Sequence, residues 1–246
     1  MKNIFLFVVP VILFSNCINA QVENEKFQQS NYLNHKILEV IMLPEPDYKG
    51  GISVESALYK RRSVRDYEET ALSLNEISQI LWAAYGITKP YDDGRDFLRG
   101  GLKTAPSAGA RYPLEIYLVA MNVTDLVPGI YLYRPEGHQL LKISEGDIKE
   151  ELANATQSSD VVKRASACLV YTAVYKRTTE KYGERGRERY VCMDVGFSAE
   201  NVYLQATSLN IGTVMVGSII DDKVKEVLNL SNKEMPMCFM PLGKIK

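Results

Sequence analysis

Between residues 73 and 86 the chain reads SLNEISQILWAAYG, and its apolar residues fall at Ile77, Ile80, Leu81, Ala84 and Tyr85. Spacings of three and four put them on one stripe of a helix. Ser73 is placed to cap that helix, Glu76 to complete a capping box, and Gly86 to end it. A longer helix is predicted over 193–210. Val195, Ala199, Val202, Ala206 and Leu209 form its first stripe, and Met193, Phe197 and Leu204 a second. A helix apolar on most sides is buried, in the core or against a second subunit. Ser53 starts a short helix carrying Val54, Ala57 and Leu58. Residues 147–165 read as weakly amphipathic helix, and Asp221 or Asp222 as the cap of another short one.

The strand signals are apolar runs bounded by turns: 114–121, 167–174, 211–219 and 235–243, with a hairpin over 129–143 about Pro135-Glu136-Gly137. Strands and helices alternate irregularly, with hairpins among them. That pattern predicts an α+β domain over residues 51–246 with one mixed sheet flanked by helices. Residues 88–113 read as a long glycine-rich loop, a length that is usually functional or disordered. Residues 21–50, closed by LPEPDYKGG, read as an extended arm.

The first twenty residues are set apart. Lys2 precedes an apolar run from Ile4 to Phe14, and Ala20 precedes Gln21. The run has the length of a signal-peptide core and is too short for a membrane span. The expectation is export, to a periplasm, with cleavage after Ala20. Lipidation at Cys17, which would tether the protein to a membrane, is the competing reading.

The net charge of −1 excludes a whole-molecule nucleic-acid footprint, so an anion site must come from a local cluster. Cys17, Cys168, Cys192 and Cys238 are far apart and show no metal spacing. Neither His35 nor His138 has a ligand partner nearby in sequence, so no metal site is expected. Cys168 and Cys238 lie in apolar runs and read as core thiols. Phosphate-loop and dinucleotide-fold glycine motifs are absent.

The local cluster is YKRRSVRDY at 59–67. Placed on a helix end or turn, Arg61 and Arg65 would share a face, with Arg62 beside them. Guanidinium forks bind phosphate in pairs of hydrogen bonds, and Ser63 adds a hydroxyl. The same run also suits a solvated surface.

The surrounding motifs favour the first reading. RRSVRDY follows a short helix. It is followed by the capped helix ending WAAYG, then TAPSAGARYPLEIYLV, GIYLYRPEGHQL, KYGERGRERYVCMDVGFSAENVYLQATSLNIGT and PLG. In this order, over roughly residues 50–243, the chain resembles the nitroreductase family of flavoproteins. It is most similar to the branch of SagB-type dehydrogenases and azoline oxidases. The resemblance implies a nitroreductase-like fold, with a mostly antiparallel sheet in an intertwined homodimer, and bound FMN. It nominates Arg61, Arg62, Ser63 and Arg65 for the FMN phosphate and ribityl chain, and Ser107, Ala108 and Gly109 as the flavin contact from the second subunit. Val216, Gly217 and Ser218 become the backbone beside the reactive ring edge, and Lys244 a further phosphate contact. Lys181 and Tyr182 match the acid–base pair of the azoline oxidases, and Arg111 and Tyr112 are candidates for the substrate cavity. Trp82 is read as a core residue.

The implied activity is exchange of hydride or electrons between flavin and a small-molecule or peptide substrate, with NAD(P)H a transient donor. Export sets NAD(P)H aside and favours the dehydrogenase direction, with oxygen or a quinone as acceptor. A non-catalytic flavin- or ligand-binding member of the same fold is the alternative.

Overall fold

The structure is a computed structural model that describes residues 31–33, 35–91 and 94–246. The predicted signal segment and Cys17 lie outside the described residues. Seven strands form the central sheet in the order β10-β11-β9-β6-β7-β8-β3, every neighbouring pair antiparallel. They are β3 (Glu39–Met42), β6 (Leu114–Ala120), β7 (Gly129–Arg134), β8 (Gln139–Glu145), β9 (Ala167–Ala173), β10 (Ile211–Thr213) and β11 (Met235–Lys244). Two short ribbons stand outside it: β1 (Asn31–Tyr32) with β2 (His35–Lys36), and β4 (Ile87–Pro90) with β5 (Gly101–Lys103).

Strands β6 and β9 are buried at every position, as apolar runs covered on both faces should be. Alternate residues feed two cores. Leu114, Ile116 and Leu118 point to one face, under α2 (Leu74–Tyr85) and α6 (Val191–Ser208). Tyr117 and Val119 point to the other. There they meet Leu152 of α3 (Lys149–Asn154), Val162 of α4 (Ser159–Lys163), and Val224 and Leu228 of α7 (Asp221–Leu228). The domain is therefore a sheet between two helical layers, the α+β architecture expected.

The Ser73–Glu76 capping box forms at the start of α2. Gly86 ends that helix with φ −63°, so no left-handed turn requires glycine. Glycine is needed for space instead, since a Cβ there would strike the Trp82 ring.

Elsewhere long-range pairing changes the picture. Residues 39–42 of the arm add β3 to the sheet edge against β8. The loop over 88–113 holds the β4–β5 ribbon. The helical stretch 147–165 splits into α3 and α4. Only residues 211–213 of the predicted 211–219 strand pair regularly; after them single bridges join Val216 to Phe239 and Ile219 to Thr156. Ile220, not an aspartate, precedes α7, and Asp221 and Asp222 sit in its first turn. Among the described residues, no helix is long and apolar enough to cross a membrane.

Candidate active site

The arginine motif follows α1 (Val54–Lys60), whose N-cap is Ser53. Arg61 closes that helix with an extended backbone, φ −50° and ψ 128°, and the chain stays non-helical through Asp66. The shared helical face expected for Arg61 and Arg65 is therefore absent. An extended chain alternates its sides instead. Arg61 and Ser63 both turn to Tyr203 of α6. The Arg61 guanidinium lies 5.2 Å from the ring centroid, and Ser63 Oγ 3.4 Å from the phenol oxygen. Val64 turns inward, its N–H donating to Thr213 O at 2.9 Å. A Cβ on Gly212 would stand 2.7 Å from the Val64 side chain, so only glycine lets the two segments close.

Tyr203 also binds the second predicted piece. Its oxygen accepts from Met215 N at 2.7 Å. Val216 is buried and pairs with Phe239, while Gly217 and Ser218 are exposed. Ser218 O accepts from Gln157 N and Thr156 Oγ1, each at 2.9 Å, which fixes this strand end. The structure thus brings Arg61–Arg65 and Val216–Ser218 together through one phenol. Sequence reading missed Tyr203 because it falls between the two apolar stripes of its helix. Its single signal was a polar tip on a largely apolar helix.

Charge at this place is under-neutralised. Glu200 comes no nearer to Arg61 than 3.9 Å, and Arg62 folds back onto the carbonyls of Tyr59 and Arg61. Arg65 is exposed and makes no ion pair among the described residues. The adjacent Asp66 is bound to Lys246 and Arg164 instead. Lys244 differs from the other nominated cations: its ammonium is paired with Glu76, the capping-box carboxylate, so its charge is already matched.

The second cluster is built on the loop 107–112. Gly109, Ala110 and Tyr112 all have positive φ, at 61°, 53° and 44°. Such backbone is costly for non-glycine residues and is held only where the surroundings over-determine it. Ser107 does the holding. Its hydroxyl donates to Asp194 Oδ2 at 2.5 Å and accepts from Tyr112 N at 2.9 Å. Ala108 N donates to Asp194 Oδ1 at 3.4 Å. Burial pushes the Asp194 carboxyl up to about 6, against the pull of its bonds to Ser107 and Ala108.

The loop presents Gly109 to α5 (Lys176–Tyr182). A Cβ on Gly109 would meet the Tyr182 hydroxyl and come within 2.8 Å of Lys181 Nζ. The nominated acid–base pair and the nominated glycine loop are therefore neighbours in one chain. The Lys181 ammonium lies 5.2 Å from the Tyr182 ring centroid, and Tyr182 packs edge-on against Tyr190. Tyr190 closes a five-residue π turn, Gly186–Tyr190, that leads into α6. Such turns often accompany functional sites.

Behind the loop, Glu115 of β6 is 2% exposed and binds Arg99 at 2.7 Å and Arg177 at 2.5 Å. Burial opposes its charge, but the two guanidiniums outweigh burial and hold the carboxyl below its ordinary range. Lys103 is buried over the rings of Tyr85 and Tyr112, and burial lowers its ammonium to about 8. Arg111 lines a cavity of about 280 Å³ with Phe97, Arg99, Arg177, Asp96 and Glu180. Tyr112, nominated with it, is buried beneath the loop instead and receives Lys103 N on its oxygen.

The other chemistry-bearing residues are structural. His35 bonds Tyr117, and His138 lies between Ser78 and Tyr133. Cys168 and Cys238 are fully buried, which raises both thiols. Trp82 is not a fully buried core residue. It lines a cavity of about 410 Å³ between α1, α2 and α6. Among the described residues no cluster suits a metal ion.

Asp194 and Tyr203, the anchors of the two clusters, are nine residues apart on one helix, about 14 Å at 1.5 Å per residue. Each chain therefore carries two separate clusters.

The Nitroreductase family profile matches residues 58–244. The chain is 46% identical over 193 residues to MJ1384 of Methanocaldococcus jannaschii, a candidate nitroreductase, covering 78% of this chain and 91% of that one. It is 23% identical over 171 residues to the microcin B17-processing protein McbC of Escherichia coli, covering 68% of this chain and 60% of that one. Among solved structures it resembles a candidate nitroreductase of Ralstonia eutropha, with a TM-score of 0.70 and 30% identity over 84% of this chain and 90% of the other. The chain belongs to the nitroreductase family of oxidoreductases. Members of that family typically use flavin and NAD(P)H and are often dimers.

Proposed function

We propose that this chain is an FMN-dependent oxidoreductase of the SagB-type dehydrogenase class, acting on a small molecule or a peptide. The observation that carries this reading is the under-neutralised set of Arg61, Arg62 and Arg65, with Ser63 and the 215–218 backbone tied to the same Tyr203. Three guanidiniums within five residues, with one carboxylate near Arg61 alone at 3.9 Å, suit a dianionic phosphate, and the donor set fits FMN. FMN, when bound, supplies a reversible two-electron acceptor.

In this reading Arg61, Arg65 and Ser63 hold the phosphate and ribityl chain, Arg62 supports them, and Val216, Gly217 and Ser218 offer backbone to the ring. Ser107, Ala108 and Gly109 close over the same cofactor from a second copy of the chain. That assignment accounts for the separation of the two clusters, each then a half-site. It also gives a partner to the exposed apolar residues Val54 and Leu58 of α1 and Met193 and Phe197 of α6, which are 65%, 54%, 50% and 46% exposed. Lys181, once it has given up its own proton and stands as the free amine, accepts a proton from the substrate, and Tyr182 orients it. The leading segment extends the proposal to an exported enzyme whose electrons pass to oxygen or a quinone, with NAD(P)H the donor if the chain stays inside.

The test is the purified chain itself. A yellow protein whose bound flavin is reduced by substrate and reoxidised by an acceptor supports the proposal. A colourless protein that also fails to take up added FMN overturns it. A yellow protein inert to every donor and acceptor supports the non-catalytic, flavin-binding alternative.

A further inference from the structure

Asp194 is a buried carboxylate that makes no ion pair among the described residues. It is 1% exposed and is met by neutral donors alone, Ser107 Oγ and Ala108 N. Around it stand Tyr85 of α2 and Tyr112 of the loop. Lys103 lies over those two rings, with Arg99 and Glu115 behind Tyr85. On its own helix the next turn presents Ser198, which is bonded to Ala84 O and Tyr171. Glu115, one layer away, has two guanidiniums; Asp194 has none. A charge kept in such a place costs stability, and an uncharged side chain would pack there at lower cost.

What the carboxylate does is grip the loop at two points, at the entrance to its run of left-handed residues. Arg99 and Lys103 bond Tyr112, and Arg111 bonds Arg177 O, at the far end of the loop, but among the described residues Asp194 alone bonds its Ser107–Ala108 entrance from outside the loop. We infer that Asp194 is a positioning residue: through Ser107 and Ala108 it holds the 107–112 loop in the backbone that sets Gly109 against Lys181 and Tyr182. This rests on reading that loop as part of the flavin site.

The linkage sign separates this role from ordinary structural support. A carboxyl whose folded pKa is raised, here from 3.8 to about 6, contributes stability that is present below 3.8 and lost as pH rises through about 6. Asp194→Asn removes that loss. The variant should therefore be more thermally stable than the parent at pH 7.5, with the gap narrowing towards pH 5. At the same time its loop should loosen, because the amide cannot accept from both donors.

The experiment is hydrogen exchange of the 107–112 amides and thermal unfolding across pH 5 to 8, on the full chain, for the parent, Asp194→Asn and Ser107→Ala. FMN retention is measured in parallel. Exchange at Ala108 and Tyr112 at least tenfold faster in both variants, with Asp194→Asn stabilised at pH 7.5, is the expected result. Unchanged exchange, or a fall in stability of Asp194→Asn at every pH, overturns the inference. If Asp194→Asn fails to fold, that fall has occurred in its extreme form, and Ser107→Ala still reads the loop. Faster exchange in a chain that never binds FMN leaves the clasp standing and removes the flavin reading; FMN bound with exchange unchanged does the reverse.

Discussion

The two clusters, the half-sites of the proposed dimer, are held by opposite means. The arginine half is exposed, extended and over-supplied with charge. Its Arg61 and Ser63 side chains meet one tyrosine, and its charge is largely unmatched among the described residues. The glycine half is backed by buried carboxylates, and its backbone is bent into left-handed conformations held by bonds to buried groups. The first half can lose side chains without the fold noticing. The second is part of the fold. A site assembled from one half of each kind separates affinity from geometry.

That separation can be broken most forcefully on the arginine side. Charge-assisted phosphate contacts are worth about 1.5–3 kcal/mol each, so replacing Arg61 and Arg65 together by alanine should weaken FMN binding by a factor on the order of 10² to 10⁴. The melting temperature of the FMN-free protein should hardly move. Equilibrium dialysis and calorimetry read the two quantities, and a large loss of stability would erase the contrast between the halves.

On the glycine side the effect should fall on stability. Glu115→Gln removes the buried carboxylate that Arg99 and Arg177 both bind, and breaking such a buried pair costs about 3–5 kcal/mol. The parent's pH dependence should show the same pairing. The folded pKa of Glu115 is depressed, so its contribution is present above the ordinary glutamate range and lost as pH falls through the folded value. Denaturant unfolding between pH 7 and pH 3 should lose this contribution in the parent and show no such loss in the variant.

Gly109→Ala should cost less, about 1–3 kcal/mol for a strained left-handed residue, with the new methyl pressed on Lys181 and Tyr182. If Gly109 faces the cofactor as proposed, turnover should suffer more than melting temperature. Tyr203→Phe is the mildest change. It removes the acceptor of Met215 N, a net loss of about 0.5–1.5 kcal/mol, and should lower FMN affinity about tenfold at most. A null result there would mean that the arginine half positions itself without the phenol.

Much of this was legible in the sequence. The capped helix, the two doubly buried strands and the hairpin follow from periodicity, because each pattern repeats within one element. The nominated residues were legible as motifs in order. The adjacency of Gly109 to Lys181 and Tyr182 was not, since roughly seventy residues of chain lie between them and only the packed sheet brings them close. Asp194 and Tyr203 escaped for a related reason. Each sits on a helix whose apolar repeat reads as packing, and a polar residue in such a repeat declares its partner only in three dimensions. The helix-end position expected for Arg61 holds, since it closes α1, but charge spacing gave no sign that the chain runs on extended to Arg65.

The position of β11 carries a consequence for the birth of the protein. This strand is synthesised after every other strand of the central sheet, yet it is seated between β10 and β9. Until it arrives, β9 presents an open edge and β10 has no neighbour, the kind of unpaired backbone that recruits other chains. The ribosome must therefore extend the chain through Lys244 before the sheet can close. A cell making this protein depends on holding the nascent chain apart from its fellows for that interval.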